Sequence, residues 1–376
     1  MLDQEKVFKT LADYGVTFFT GVPDSYLNGF CNYALANCGD RNVITVNEGN
    51  AVALAAGHYL ATKEIPLVYM QNSGEGNAVN PIASLIDREV YAIPMLLLIG
   101  WRCQGGTEPN HPQHKLQGEI TTRLLDILHI PYSVLTDSDD EFRLAVDKAV
   151  KYCEATRGAY ALVSPKGVMA DPDKPNEMDN GYPMSREKAI EVILDHMPAD
   201  TIYSATTGRA TRELFFLREK RNETKSHDFL NVGSMGHASS VALGIALEKQ
   251  NRHVVALDGD SAALMHMGAM TMVSKVQAPN FLHVVLNNGA HESVGGQPSA
   301  GFLVDLTQIA DACGYETVHH PVTTETELID AVNVLRDCGK AAFIDCRIHK
   351  GLSRTLPPIV FDHREAIDAL IDDLNR

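Results

Sequence analysis

Leu257-Asp258-Gly259-Asp260-Ser261-Ala262-Ala263-Leu264-Met265-His266 and, some way on, Phe281-Leu282-His283-Val284-Val285-Leu286-Asn287-Asn288-Gly289 decide the fold. An apolar run over 253–257 ends in an acidic, glycine-containing turn. An apolar helical run follows, and a second apolar run over 281–286 ends in Asn287-Asn288-Gly289. Short apolar runs bounded by turn residues read as buried strands of a parallel sheet. A right-handed crossover sets two such strands side by side, so their ends share one edge. Asp260 precedes Asn287 by 27 positions, room for one helix and one strand. A carboxylate, an amide oxygen and a backbone carbonyl then face one point, a donor set suited to a small hard cation such as Mg2+ held with phosphate oxygens. Two registers are open, an Asp258/Asp260 pair or Asp260 alone. The spacing favours Asp260, the Asn287 side chain and the Gly289 carbonyl as metal ligands, with Asp258 in support. Asp, Asn and Gly are also ordinary turn residues, so the reading needs a second constellation.

The rest of the chain sets the limits. Its 376 residues are enough for two domains, and 45% hydrophobic with 21% charged residues is a globular balance. The net charge of −16, with basic residues scattered, argues against a nucleic-acid or anionic-membrane partner. Seven cysteines without a CxxC pair read as reduced thiols of a cytoplasmic protein. The first residues lack the basic and apolar regions of a signal peptide. The longest apolar run, 93–99, contains a proline and is too short to span a bilayer.

Strands alternate with helices along both halves, which predicts two doubly wound parallel-sheet α/β domains. Strands are expected at 16–19, 42–46, 66–70, 94–99 and 160–163, and helices at 2–14, 26–37, 51–61, 80–89, 119–128 and 139–153. A polar loop over 100–118 would carry Trp101, Arg102, His111, Gln113, His114 and Lys115. Residues 171–183, rich in proline and acids, read as a linker between domains 1–170 and 184–376. The second half is expected to repeat the alternation, with strands at 201–204, 229–230, 316–319 and 341–345 besides the two above. Thr324 and Glu327 form a capping box before a helix over 325–338.

The second constellation is Val46-Asn47-Glu48-Gly49-Asn50, a strand end whose acid opens an Ala/Gly-rich helix. Burial there raises the carboxyl pKa and keeps a proton available. Together, Gly259-Asp260, Asn287-Asn288-Gly289 and Glu48 resemble the cofactor-binding residues of the thiamine-diphosphate-dependent 2-oxo acid decarboxylase superfamily. The third position of its metal motif, usually glycine, is Ser261 here, small and able to donate its hydroxyl. The resemblance implies that Glu48 hydrogen-bonds N1′ of the aminopyrimidine of thiamine diphosphate and that Asp260, Asn287 and Gly289 hold Mg2+. It implies that Met235 wedges between the cofactor rings and that the Gly233 carbonyl accepts from the 4′-amino group. Thr207 and Gly208 would meet the diphosphate, with Ser234, Gly259, Ser261 and Ala290 lining the same site.

Segments 21–25, 99–115, 204–209, 232–240, 258–269 and 287–298 further resemble the phosphonopyruvate decarboxylase family. That resemblance implies a pyrimidine-binding first domain and a diphosphate-binding second domain, with no middle domain of the kind the larger decarboxylases carry. It also implies a small anionic 2-oxo acid substrate, and a homo-oligomer with active sites at the subunit interface. Asp24, Ser25 and His114 would be catalytic. Gln113, Lys115, Arg102, His291 and Glu292 would face the substrate, the cations answering a phosphonate. Sulfopyruvate is the rival substrate. A nicotinamide-dependent dehydrogenase would need G-x-G-x-x-G after an early strand, which is not found there. A non-catalytic subunit would not need Glu48, Asp260 and Asn287 together.

Overall fold

The computed structural model describes the chain except residues 107–111, 170–178, 277, 352–355, 357–358 and 360–361. His111 and most of the expected linker therefore lie outside the described residues. The chain divides into two compact units, Met1–Asn176 with Ser293–Gln297, and Glu177–Glu292 with Pro298–Arg376.

In the first unit the order is α1 (Gln4–Asp13), β1 (Phe19–Gly21), α2 (Asn28–Asn37), β2 (Asn42–Ile44), α3 (Glu48–Thr62), β3 (Leu67–Gln71), α4 (Glu75–Pro81), β4 (Leu96–Trp101), α5 (Pro112–Ile127), β5 (Tyr132–Val134), α6 (Asp139–Thr156) and β6 (Tyr160–Pro165). Six strands form one sheet in the order β2-β1-β3-β4-β6-β5, every pairing parallel. Side chains alternate across it. Leu67, Tyr69, Leu96 and Leu98 enter one apolar core, and Val68, Met70, Leu97 and Ile99 the other. That is the period of two that a strand covered on both faces requires. Each such buried aliphatic side chain contributes roughly 1.5–3 kcal/mol of transfer free energy.

The second unit runs α7 (Arg186–His196), β7 (Ile202–Ala205), α8 (Arg209–Arg221), β8 (Asp228–Leu230), α9 (Ala238–Glu248), β9 (Val254–Gly259), α10 (Asp260–Met265), β10 (Phe281–Asn287), the short β11 (Ala290–His291) and β12 (Gln297–Pro298), α11 (Leu306–Ala312), α12 (Glu325–Leu335), β13 (Ala342–Arg347) and α13 (His363–Leu374). Its five-stranded parallel sheet has the order β13-β10-β9-β7-β8. The expected crossover is present: β9 and β10 are neighbours, with Leu257 opposite Val284 and Gly259 opposite Leu286. The Thr324/Glu327 capping box is formed. Among the described residues no helix is long and apolar enough to cross a membrane.

Several local expectations are corrected. Gln113, His114 and Lys115 stand on the first turns of α5, not in a loop. Pro112 opens that helix, where its missing N–H has no intrahelical partner to lose. The run read as a turn over 71–77 forms a 3-10 turn and then enters α4, so the helix expected at 80–89 starts earlier. Residues 316–319 make one isolated bridge, Glu316 to Ala342, rather than a strand. Asn180, placed in the linker, already belongs to the second unit: its Nδ2 donates to the Ile348 carbonyl at 2.9 Å.

Candidate active site

In both units the polar residues of interest follow the carboxyl ends of the strands, where parallel α/β sheets receive ligands. In the second unit β9 runs straight into α10, and the buried Asp260 is the first helical residue. Asn287 ends β10 on the neighbouring strand. A Cβ added to Gly301 would lie 2.5 Å from Asp260 Oδ2 and 2.6 Å from Asn287 Oδ1. The two oxygens therefore converge on one point, no more than 5.1 Å apart, and glycine leaves it open. Asn287 Nδ2 donates to Asp345 Oδ1 at 3.0 Å and to the Gly301 carbonyl at 2.9 Å. With its donors so placed, its oxygen is turned toward Asp260 and accepts from the Gly289 N–H at 3.2 Å. Ser299 Oγ donates to Asp260 Oδ2, and Ser299 N donates to the Gly289 carbonyl at 2.9 Å, which leaves that carbonyl a second lone pair.

Burial pushes Asp260 up to about 6, against the Ser299 hydroxyl and nearby backbone N–H groups that lower it, and burial likewise pushes Asp345 to about 6. A cation at the shared point would lower the Asp260 pKa and relieve that cost. Asp258 is engaged elsewhere. Its Oδ1 accepts from the Gly259 N–H at 3.0 Å and its Oδ2 lies 3.4 Å from His283 Nε2. Of the two registers, the geometry fits Asp260. Among the described residues no cluster of three or more His, Cys, Asp or Glu suits a metal, so a cation here relies on one carboxylate, amide and carbonyl oxygens, and ligand oxygens.

Two further features fit a diphosphate, and a turn and a buried alanine complete the surroundings. Ser261 Oγ is buried with no hydrogen-bond partner among the described residues. Gly208 caps α8 at φ +102, a region that favours glycine, and no side chain caps the helix, so first-turn N–H groups remain for an anion. Thr207 precedes it, half-buried. After β8 the Asn231 side chain accepts from the Gly233 N–H at 3.1 Å. Ser234 and Gly236 take φ +48 and +85, and a Cβ at Gly236 would meet the His266 ring at 2.6 Å. That closely held turn presents the half-buried Met235. Ala290 is buried, its N–H donating to Asn288 Oδ1 at 3.1 Å.

The first unit carries the other acid. Asn47 Oδ1 accepts from the Gly49 N–H at 2.8 Å and caps α3, so Glu48 is its first residue. Glu48 is 5% exposed. Its Oε2 accepts from Asn77 Nδ2 at 2.7 Å, and its Oε1 lies against Gly74, where a Cβ would come within 2.3 Å. Burial raises its pKa, against the Asn77 bond and a backbone N–H that lower it. Asp24 is fully buried. It accepts from Gln71 Nε2 at 2.6 Å and from the Tyr26 N–H at 3.0 Å, and burial raises its pKa too. Arg102 Nη1 donates to Ser25 Oγ at 3.1 Å, and the guanidinium lies 5.2 Å from the centre of the Tyr26 ring. Two residues singled out separately are thus brought together. Gln113 and His114 are half-buried on α5, and Lys115 is exposed.

His291 and Glu292 lie just beyond the Asn287-Asn288-Gly289 turn. Arg186, Arg209, Asn288 and the Gly351 N–H surround the Glu292 carboxylate. His291 is buried and pushed down to about 4, so it is neutral near pH 7 and offers no cation to an anion. The sequence reading also missed Asn77, Ser299, Gly301 and Asp345. Asn77 could have been suspected from the Gly-rich run that holds it, but the other three carry no spacing signal.

The sequence matches known proteins along most of the chain. Residues 4–126 match the thiamine pyrophosphate enzyme N-terminal TPP binding domain, and residues 207–346 match the C-terminal TPP binding domain. Fold and matches define a thiamine pyrophosphate enzyme. A phosphonopyruvate decarboxylase from Streptomyces viridochromogenes is 35% identical over 341 residues, covering 86% of this chain and 82% of the relative. One from Streptomyces hygroscopicus is 33% identical, covering 85% and 81%. A sulfopyruvate decarboxylase from Methanosarcina acetivorans is 26% identical, covering 96% and 95%. The chain belongs to the family of these decarboxylases and is a thiamine-pyrophosphate-dependent 2-oxo acid decarboxylase, a carboxy-lyase.

Proposed function

We propose that the substrate is 3-phosphonopyruvate, converted with Mg2+ as the second cofactor to phosphonoacetaldehyde and CO2 in phosphonate biosynthesis. The observation that carries this reading is the 35% identity to a phosphonopyruvate decarboxylase over 82% of its length, against 26% to the sulfopyruvate enzyme. When bound, thiamine diphosphate supplies the electron sink for loss of CO2. The residues of the chain do the rest. Glu48, buried and with its pKa raised by that burial, would hydrogen-bond N1′ of the aminopyrimidine. Asp260, Asn287 and Gly289 hold the cation, while the α8 N-terminus at Thr207-Gly208 and the Ser261 hydroxyl take diphosphate oxygens. Gly233 and Met235 orient the rings. On the substrate side Arg102, steadied by Ser25 and Tyr26, meets the phosphonate, and Asp24 holds the turn that carries Ser25. Gln113, His114 and Lys115 supply hydrogen bonds, a proton relay and a second cation from α5.

The enzyme works as a homo-oligomer with its active sites at subunit interfaces. The helix that begins at Glu48 supports this, because it keeps an uncharged outward face with Leu54 and Leu60 40% and 68% exposed. Light scattering of the purified protein tests it, and a stable monomer at working concentration would overturn it. The substrate is tested by turnover of phosphonopyruvate and sulfopyruvate side by side, with thiamine diphosphate and Mg2+ present. The expected result is at least a roughly tenfold preference in kcat/KM for phosphonopyruvate, about 1.4 kcal/mol. Equal or faster turnover of sulfopyruvate would make the second reading the correct one.

A further inference from the structure

Glu292 has no place in that reaction, yet its carboxylate ties together four separate segments of the second unit. Oε2 accepts from Asn288 Nδ2 at 3.0 Å and from Arg186 Nη2. Oε1 accepts from the Gly351 N–H and lies 3.2 Å from Arg209 Nη1. The Glu292 carbonyl accepts from Arg209 Nη2 at 3.3 Å. Asn288 is the middle residue of the turn after β10, Arg209 is the first residue of α8, Arg186 is the first residue of α7, and Gly351 follows β13. Arg186 is steadied in turn by Glu213 of α8, with Nη1 and Oε1 3.4 Å apart.

The sheet order shows why such a tie matters. β7, which leads to Thr207-Gly208, and β10, which leads to Asn287-Gly289, are separated by β9. At one inter-strand spacing each, they lie about 10 Å apart and share no ladder hydrogen bonds. The sheet relates the two strand ends only through β9, and Thr207-Gly208 and Asn288-Gly289 lie beyond its last rungs. We propose that Glu292 is a positioning residue that sets the α8 N-terminus against the Asn287–Asn288–Gly289 turn and thereby determines the affinity for thiamine diphosphate with its cation. The proposal rests on those two segments holding the cofactor.

Charge alone makes the opposite prediction. Glu292 is an anion beside an anion site, so a purely electrostatic role means that removing its charge tightens diphosphate binding. A positioning role means that removing it weakens binding, because the two arms lose their common anchor. Calorimetric titration of the full-length apo-protein with thiamine diphosphate at fixed Mg2+ separates the two. For Glu292→Gln the expected loss is about 10-fold to 100-fold in affinity, the range for residues that orient ligand-holding groups. kcat at saturating cofactor should fall far less than the affinity. Arg209→Lys keeps the charge and loses the two-pronged contact, so it should lose affinity in the same direction by a smaller factor, and it serves if Glu292→Gln does not fold. Unchanged or tighter binding in a folded Glu292→Gln protein, with only its melting temperature lowered, overturns the proposal. Asp260→Ala is the reference. If it binds cofactor like the wild type, the assignment of the cofactor site has failed. If it binds weakly while Glu292→Gln binds normally, only the role of Glu292 has failed.

Discussion

The two sheets end in buried acids that are held in contrasting ways. Glu48 has one amide donor, Asn77, and a glycine against its other oxygen. Asp260 sits in a braced frame: Ser299 donates to it, and Asn287 is fixed beside it by Asp345 and Gly301. Both acids are raised by burial. The sparse setting leaves burial to raise the pKa of its acid, as suits a proton-handling group. The braced setting fixes oxygen positions, as a cation ligand needs, and a bound cation would remove the reason for the proton. Two acids with the same direction of shift thus suit opposite tasks, and the neighbours distinguish them.

The largest test of that contrast is Glu48→Gln. Turnover should fall by about 10²–10⁴-fold, the usual contribution of a positioned acid or base, while cofactor affinity measured by titration changes little. Near-normal turnover would refute the role given to Glu48. Asp260→Ala should do the reverse in kind, weakening Mg2+-dependent cofactor binding by roughly 10-fold to 100-fold. Unchanged affinity in the titration would remove Asp260 from the metal site. Gly301→Ala probes the frame itself. The new methyl falls on the point shared by Asp260 and Asn287, so the expected cost is about 1–3 kcal/mol of stability, read in a denaturant melt, together with weaker Mg2+ dependence. A variant as stable and as Mg2+-dependent as the wild type would show that this point has room to spare.

The sparse half also carries a pH dependence. Glu75, the first residue of α4, is pushed by burial from 4.5 to about 8, with a Thr121 hydrogen bond acting against the shift. Between those values the folded chain keeps a proton that the unfolded chain releases. Stability therefore falls as pH rises through that window, by up to about 1.4 kcal/mol per pH unit. Glu75→Gln removes the term, so its melting temperature should gain on the wild type steadily from pH 5 to pH 8. Parallel curves would mean that Glu75 finds compensation in the folded chain.

What was legible in the sequence follows from locality. Asp260 and Asn287 could be paired because their strands are consecutive and one crossover joins them. Glu48 could be read because its strand end and its helix adjoin in the chain. The ion pairing of Glu292 was not legible, because its partners Arg186 and Arg209 are 106 and 83 residues away and no spacing rule reaches them. Asp345 was missed for the same reason, lying 58 residues beyond Asn287 on the strand that flanks β10 on its other side. The start of α5 was placed late because its polar first turns lack an apolar stripe, although Pro112 marked the true beginning.

The hold on Asn288 bears on how the protein ages. An asparagine followed by glycine deamidates readily in a loose chain, when the next backbone nitrogen attacks the side-chain amide carbon. Here the Asn288 side chain is fixed at both ends, its Nδ2 donating to Glu292 and its Oδ1 accepting from the Ala290 N–H, while the Gly289 N–H that would attack is directed at Asn287 Oδ1. The folded protein therefore keeps this dipeptide chemically quiet. Conversion of Asn288 to aspartate or isoaspartate, followed by mass spectrometry of stored protein, should run faster in Glu292→Gln than in the wild type, so the loop that would hold the cation doubles as a record of how long its anchor has been intact.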